Sequence, residues 1–299
     1  MTTFFDRTLR LQPLSYERLP PARAGDLAYE RFCTPKLSSR RSADHTVLTE
    51  RARFHLRHAQ WIEVPTTEGP VQAYVFEPDG PDRAGSERGS VLIAHGWTSE
   101  ASFMAVFAEQ LRRAGFRVVA FDQPAHGRSA RERASLIDCS RALLQVAEAL
   151  GPIRFAVAHS MGGLALLLAG EGGPPMARAY PFERYVLVSM PNKFGAITQE
   201  FADELSLQPG AARAYEQRLA RIAHRPIAEF TGARLLAATG RPALVMHARD
   251  DTEVGFYHAE EIVAQCPTAR LKAFDGLGHR NILFAPPVIR AAMSYLSAV

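Results

Sequence analysis

The segment from Ile153 to Gly170 reads IRFAVAHSMGGLALLLAG. It opens on a short apolar run of the kind that forms a buried strand and closes on an apolar run of helical length. Between them stand His159, Ser160, Met161, Gly162 and Gly163. A serine where strand gives way to helix lies at the strand's carboxyl end, the edge of an open parallel sheet at which ligands bind. So sharp a turn strains the serine backbone. It closes only if the residues two before and two after carry almost no side chain. Those residues are Ala158 and Gly162. Alanine at the first place departs from Gly-x-Ser-x-Gly by the smallest steric step available. The turn also aims the free N–H groups of the helix start at the serine. Taken alone, the pattern equally describes a serine that only caps a helix. The other strand ends must decide.

Outward from this segment the chain alternates between the two periods. QWIEVPTTEGPVQAYVFEP, from Gln60 to Pro78, is two alternating apolar stretches around a Thr-Glu-Gly-Pro turn, a β-hairpin. Continuous apolar strands follow at Ser90–His95, Phe116–Asp122, Arg154–His159, Arg184–Met190, Pro242–Ala248 and Ala269–Asp275. Helical patterns lie between and after them: SEASFMAVFAEQLRRAG closed by Gly115, RASLIDCSRALLQVAEALG ending at Gly151, and APPVIRAAMSYLS with proline at its start. Apolar strands joined by helices are the mark of a parallel sheet covered on both faces. The expected fold is therefore α/β: a mostly parallel central sheet with an antiparallel hairpin at one edge and helices on both faces. A small helical lid, about residues 191–240, is inserted after the sixth strand, with helices at ITQEFADELSL, AARAYEQRLARIAHR and ARLLAATG. Residues 60–299 make this domain. Residues 1–59 read as an N-terminal extension packed on it, with a helical pattern at ADHTVLTERARFHLRHA that Asp44 caps.

Two later strands end in residues that a nucleophilic serine needs, a base and an acid to orient it. After Ala248 come Arg249, Asp250, Asp251, Thr252, Glu253 and Val254. After Asp275 comes Gly276-Leu277-Gly278-His279. Each alone is ordinary turn or loop chemistry, but serine, aspartate and histidine each following a strand in that order is not. The segments LIAHGWTSEAS, FDQPAHGRS, AHSMGGLA, VMHARDDTEV and GLGHRNIL together resemble the α/β-hydrolase fold superfamily, its serine esterases and lipases, over roughly residues 60–299.

The resemblance implies Ser160 as nucleophile in a nucleophile elbow and His279 as general base. It favours Asp251 as the acid, with Asp250 the alternative one residue earlier. By position, the oxyanion donors it implies are the backbone N–H groups of Trp97 and Met161. It implies that His95 holds its loop by hydrogen bonding, that Asp122 and His126 shape backbone near the nucleophile, and that the His159 side chain points away from the elbow. The implied reaction is hydrolysis of a small to medium, largely apolar carboxylic ester through an acyl-enzyme. The same triad also serves carbon–carbon, amide or thioester hydrolysis and cofactor-free perhydrolysis, because fold and triad do not fix the reaction. A binding protein without turnover is the remaining class, and it has no physical need for all three residues. Trp97, Phe194, Phe201 and Phe256 are the expected apolar lining of the substrate pocket.

Composition narrows the alternatives. At 299 residues, 47% hydrophobic and 22% charged, the chain is an ordinary globular sequence with enough apolar matter for a sizeable core. The net charge is +4; residues 1–60 hold eleven Lys and Arg against six Asp and Glu, a net of +5 that leaves the rest at −1. No basic run with interleaved aromatics marks a nucleic-acid groove. Cys33, Cys139 and Cys266 are isolated, which argues for neither a disulfide framework nor a zinc site, and His55 and His58 lack partners at metal-ligand spacing. No Gly-x-Gly-x-x-Gly or phosphate-loop segment calls for a nucleotide, so no cofactor or metal is expected. The first residues lack the apolar region of a secretory signal, and no apolar run approaches the ~20 residues of a membrane span. The expectation is a cytoplasmic enzyme whose partner is a small-molecule ester.

Overall fold

The computed structural model describes residues 16–35, 52–78 and 88–298. Among these described residues eight strands form one sheet: β1 (Gln60–Val64), β2 (Val71–Phe76), β3 (Ser90–Ala94), β4 (Arg117–Phe121), β5 (Phe155–His159), β6 (Arg184–Val188), β7 (Ala243–Ala248) and β8 (Ala269–Phe274). Their spatial order is β1-β2-β4-β3-β5-β6-β7-β8. β2 runs antiparallel to β1 and β4, and every other neighbouring pair is parallel. The central strands are apolar without alternation because both of their faces are covered. Leu92, Ala94, Ala156 and Leu187 feed one core, and Val91, Ile93, Val157 and Val186 feed the other.

The helices are α1 (Pro21–Phe32), α2 (Ala105–Arg113), α3 (Leu136–Ala149), α4 (Met161–Glu171), α5 (Phe194–Glu204), α6 (Pro209–Ala223), α7 (Gly232–Thr239), α8 (Tyr257–Gln265), α9 (Gly278–Asn281) and α10 (Pro286–Ser297). Ser135 starts α3 with a capping box closed by Asp138. α4 is apolar all round because it is buried between α3 and α7. The expected helix at Ser99–Gly115 is divided: a 3-10 turn at Ala101–Met104 precedes α2, its first N–H donated at 2.8 Å to the buried Asp122 carboxylate. Between β6 and β7, α5 begins at Phe194 rather than Ile197, directly after Lys193 pairs with Thr231. α6 begins with Pro209 in its first turn.

α1 lies along α6 at close range. A Cβ at Gly25 would sit 2.6 Å from the Cβ of Ala214 and 2.7 Å from the Tyr215 nitrogen, so only glycine permits this crossing. Past its end, the Cys33 carbonyl accepts the Ala134 N–H at 2.8 Å. Asp44 and most of the helical pattern around it lie outside the described residues. Of that pattern, Ala52–Phe54 is helical and His55–His58 forms a 3-10 turn. Among the described residues no helix is long and apolar enough to cross a membrane.

Candidate active site

Ser160 stands between β5 and α4 with φ 52° and ψ −133°, a conformation an L-residue holds only at a cost of about 1–3 kcal/mol. The surroundings hold it there. Its N–H donates to the Val188 carbonyl at 2.9 Å and its carbonyl accepts the Gly163 N–H at 2.9 Å. A side chain at Gly162 would meet the His95 carbonyl oxygen, which is why the position two after the serine must be bare. Ala158, two before it, is fully buried in β5 between Ala94 and Leu187. Small residues on either side thus let the first turn of α4 pass under the ends of β3 and β6.

The turn α9 brings His279 over the end of β5. Its Nε2 lies 3.1 Å from Ser160 Oγ and its Nδ1 2.8 Å from Asp251 Oδ2. With Nδ1 carrying the proton toward the carboxylate, Nε2 offers its lone pair to the serine hydroxyl. Asp251 follows β7. Burial acts to raise its carboxyl, but hydrogen bonds from His247 and His279 outweigh that and hold it below the usual carboxylate range. Its other oxygen accepts the Glu253 and Val254 N–H groups at 3.0 and 2.8 Å. Asp250 points elsewhere and accepts the Leu277 and Gly278 N–H groups at 3.2 and 3.0 Å, tying the β7 loop to the start of α9.

Two histidines beside this chain were not assigned such places from the sequence. His247, fully buried in β7, shares its Nε2 proton between two acceptors, the Val254 carbonyl at 2.8 Å and Asp251 Oδ2 at 3.2 Å. Its four-residue spacing to Asp251 was the available signal. His159 does not point away from the elbow: its Nε2 donates to the His279 carbonyl at 2.9 Å, its ring centre lies 4.7 Å from that of His279, and it faces the cavity. The reason is that α9 folds back across the end of β5. Burial and the neighbouring His279 drive the His159 imidazole well below its ordinary range, so it stays neutral.

The loop after β3 abuts the serine, and a Cβ at Gly96 would lie 3.0 Å from that of Ser160. Its shape comes from buried side chains. His95 Nε2 accepts the Gln123 N–H at 3.0 Å, and the Gln123 side chain donates to the His95 carbonyl. His126 accepts the Thr98 N–H at 3.2 Å. Asp122 receives the Tyr74 hydroxyl and the Arg128 N–H, both at 2.9 Å, as well as the Ala101 N–H. Asp122 and His126 thus connect loops and do not touch Ser160. Met161 and Trp97 are the residues that directly follow Ser160 and Gly96.

A cavity of about 400 Å³ opens on Ser160 and His279. Trp97, Phe103, Val106, Leu283 and Phe284 form its apolar wall, and Ala52 and His55 close one side. Phe194, Phe201 and Phe256 are not among the lining residues. Phe194 and Phe201 pack edge-on around Phe32 of α1, and Phe256 packs against His247 and Arg249. Phe194 and Phe201 turn inward because Phe32 of α1 occupies the space beside them.

An eight-stranded, mostly parallel sheet with a strained serine at the end of its fifth strand defines a class. Residues 91–292 match the alpha/beta hydrolase family, and the chain belongs to that family: it is an alpha/beta hydrolase. It is similar to the monoacylglycerol lipase of Mycolicibacterium smegmatis, with 27% identity over 229 residues, 64% of this chain and 81% of that protein. Solved structures with the same fold include an esterase of Pyrococcus furiosus, at TM-score 0.58 and 19% identity over 82% of this chain and 93% of that one. A carboxylesterase of the thaumarchaeon Nitrososphaera gargenis matches at TM-score 0.57 and 16% identity, covering 80% of this chain and 98% of the other.

Proposed function

We propose that this hydrolase is a serine esterase that cleaves a small to medium, largely apolar carboxylic ester. The observation that carries the proposal is the unbroken chain from Ser160 Oγ to His279 at 3.1 Å and on to Asp251 at 2.8 Å, opening on an apolar cavity. In the proposed cycle Ser160 Oγ attacks the ester carbonyl while His279 Nε2 takes the hydroxyl proton. The Asp251 carboxylate holds the imidazole tautomer and stabilises its positive charge. The Trp97 and Met161 N–H groups receive the developing oxyanion; loss of one such donor costs about 10²–10³ in rate. The alcohol leaves with the proton from His279. Water then attacks the acyl-Ser160 ester, giving a proton to His279, which returns it to Ser160 as the acid departs.

The cavity volume lies within the ~300–1,000 Å³ of small-molecule sites, and its wall is mainly aromatic and aliphatic. The names of the relatives, a lipase and esterases, support the same bond type. The helices α5 to α7 would act as the lid, and the segments before β1 as a packed extension that completes the pocket wall.

A fluorophosphonate probe tests the nucleophile without requiring the natural substrate. Wild type should be labelled and should hydrolyse short p-nitrophenyl esters, and Ser160→Ala should lose both. In triad enzymes the loss of the serine reaches about 10⁶ in kcat. Folded wild type that is not labelled would overturn the proposal.

A further inference from the structure

Phe32, the last residue of α1, is 2% exposed and sits among four other aromatic rings. Its ring stacks on Trp97 at 6.0 Å with 17° between the planes. It meets Phe201, Phe194 and Tyr215 edge-on at 5.2, 6.0 and 6.0 Å. Trp97 lines the cavity at Ser160. Phe32 lines a second, separate void of about 20 Å³, walled by apolar side chains of α3, α5 and α6 such as Leu136, Phe194 and Leu219. The stacked pair Trp97–Phe32 therefore divides the reaction cavity from an apolar space beneath the helical insertion. One half of the divider belongs to the oxyanion loop. The other arrives from the N-terminal helix, which Gly25 lets settle onto α6 and which the Cys33 carbonyl ties to Ala134.

The geometry points to Phe32 as the specificity-determining residue of this hydrolase, a plug supplied by α1 that closes the inner end of the acyl pocket and restricts it to short acyl chains. The inference rests on Ser160 being the nucleophile. It adds that the ceiling on chain length is set by the N-terminal helix rather than by the residues around the serine. With the Phe32 ring removed, the Trp97 indole loses the ring stacked on its plane. The reaction cavity then joins the void, and Phe194 becomes part of an extended apolar wall. Long methylene chains gain contacts there that the native protein denies them, and short chains gain none.

Active-site labelling by an ethyl and a dodecyl fluorophosphonate, measured as second-order rate constants on wild type, Phe32→Ala and Phe32→Leu, reads this directly. Wild type should favour the ethyl probe. Phe32→Ala should raise the dodecyl-to-ethyl ratio by about tenfold or more, the effect of two or so newly buried methylenes. Phe32→Leu removes less of the ring and should give a smaller rise in the same direction, and it serves if the alanine variant does not fold. Labelling of wild type and variants with one unchanged ratio would overturn the plug while leaving the serine esterase standing. Absence of labelling in folded wild type with either probe would overturn both.

Discussion

Ser160 and Trp97 face one cavity but are held by opposite means. Ser160 is fixed by backbone: its strained φ, its hydrogen bonds to Val188 and Gly163, and a bare Gly162 against the His95 carbonyl are all main-chain facts within a few residues of it or on adjoining strands. The Trp97 ring is fixed by side chains from elsewhere, Phe32 in α1 on one plane and His126 edge-on at 4.9 Å. The difference is instructive. In the proposed reaction the reacting atoms are positioned by the geometry of strand ends, which tolerates almost no change. The pocket is positioned by packing, which can be recut without disturbing Ser160.

The largest effect should separate two adjacent carboxylates. Asp251→Asn leaves a group of the same shape but removes the charge that holds the His279 tautomer, and kcat should fall by about 10⁴. Among the described residues Asp250 accepts from the Leu277 and Gly278 N–H groups on an exposed loop; Asp250→Asn keeps one acceptor oxygen, gives up one of the two bonds and should cost no more than about threefold. Steady-state kinetics on the two variants decides the matter. Comparable losses would break the assignment of the acid and the backbone-first account of the site.

His247 sharpens the same contrast one step further from the chemistry. It lies against Asp251 and touches nothing that reacts, so it is a positioning residue. His247→Ala should lower kcat about tenfold, the worth of one hydrogen bond to a charged group, with KM little changed. His247→Gln, which keeps a side-chain donor, should recover most of that loss. A parallel fall in kcat, rise in KM and drop in melting temperature would instead mark His247 as core packing only.

How much of this was legible beforehand follows from the same division. The elbow was readable because its requirements are local: a strand, two small residues and a helix, all within the segment Ile153–Gly170. The mostly parallel sheet was readable in outline because strands buried on both faces are apolar throughout, whereas β8 at the edge alternates. Asp251 was favoured through a resemblance, and only the fold shows Asp250 turned toward Gly278. The pocket wall was the least readable. Phe194 and Phe201 were expected to meet substrate but close on Phe32, more than 160 positions earlier in the chain. Phe103, Val106 and Leu283, which do line the cavity, lie on or beside 3-10 turns whose direction depends on contacts such as Asp122 to Ala101. Long-range packing leaves no local period to read.

The smallest effect concerns how the other side of the pocket wall is anchored. Glu109 in α2 is buried against the Arg112 and Arg113 guanidinium groups at 2.9 and 2.8 Å, and His58, just beyond the wall residue His55, lies 3.6 Å away. The Arg112 hydrogen bond, opposed by burial and assisted by Arg113, holds the Glu109 carboxyl down at about 2. A carboxyl held below its unfolded value contributes stability that is present above that value and lost as the pH falls through the folded one. The contribution should therefore be complete at neutral pH and disappear between the ordinary 4.5 and about 2. Glu109→Gln should cost on the order of 1 kcal/mol at pH 7, since one guanidinium is well exposed to solvent. Thermal unfolding of both proteins from pH 7 downward checks this. The gap in melting temperature should narrow steadily below pH 4.5. A gap independent of pH would mean that the shape of the side chain, and not its charge, holds this part of the wall.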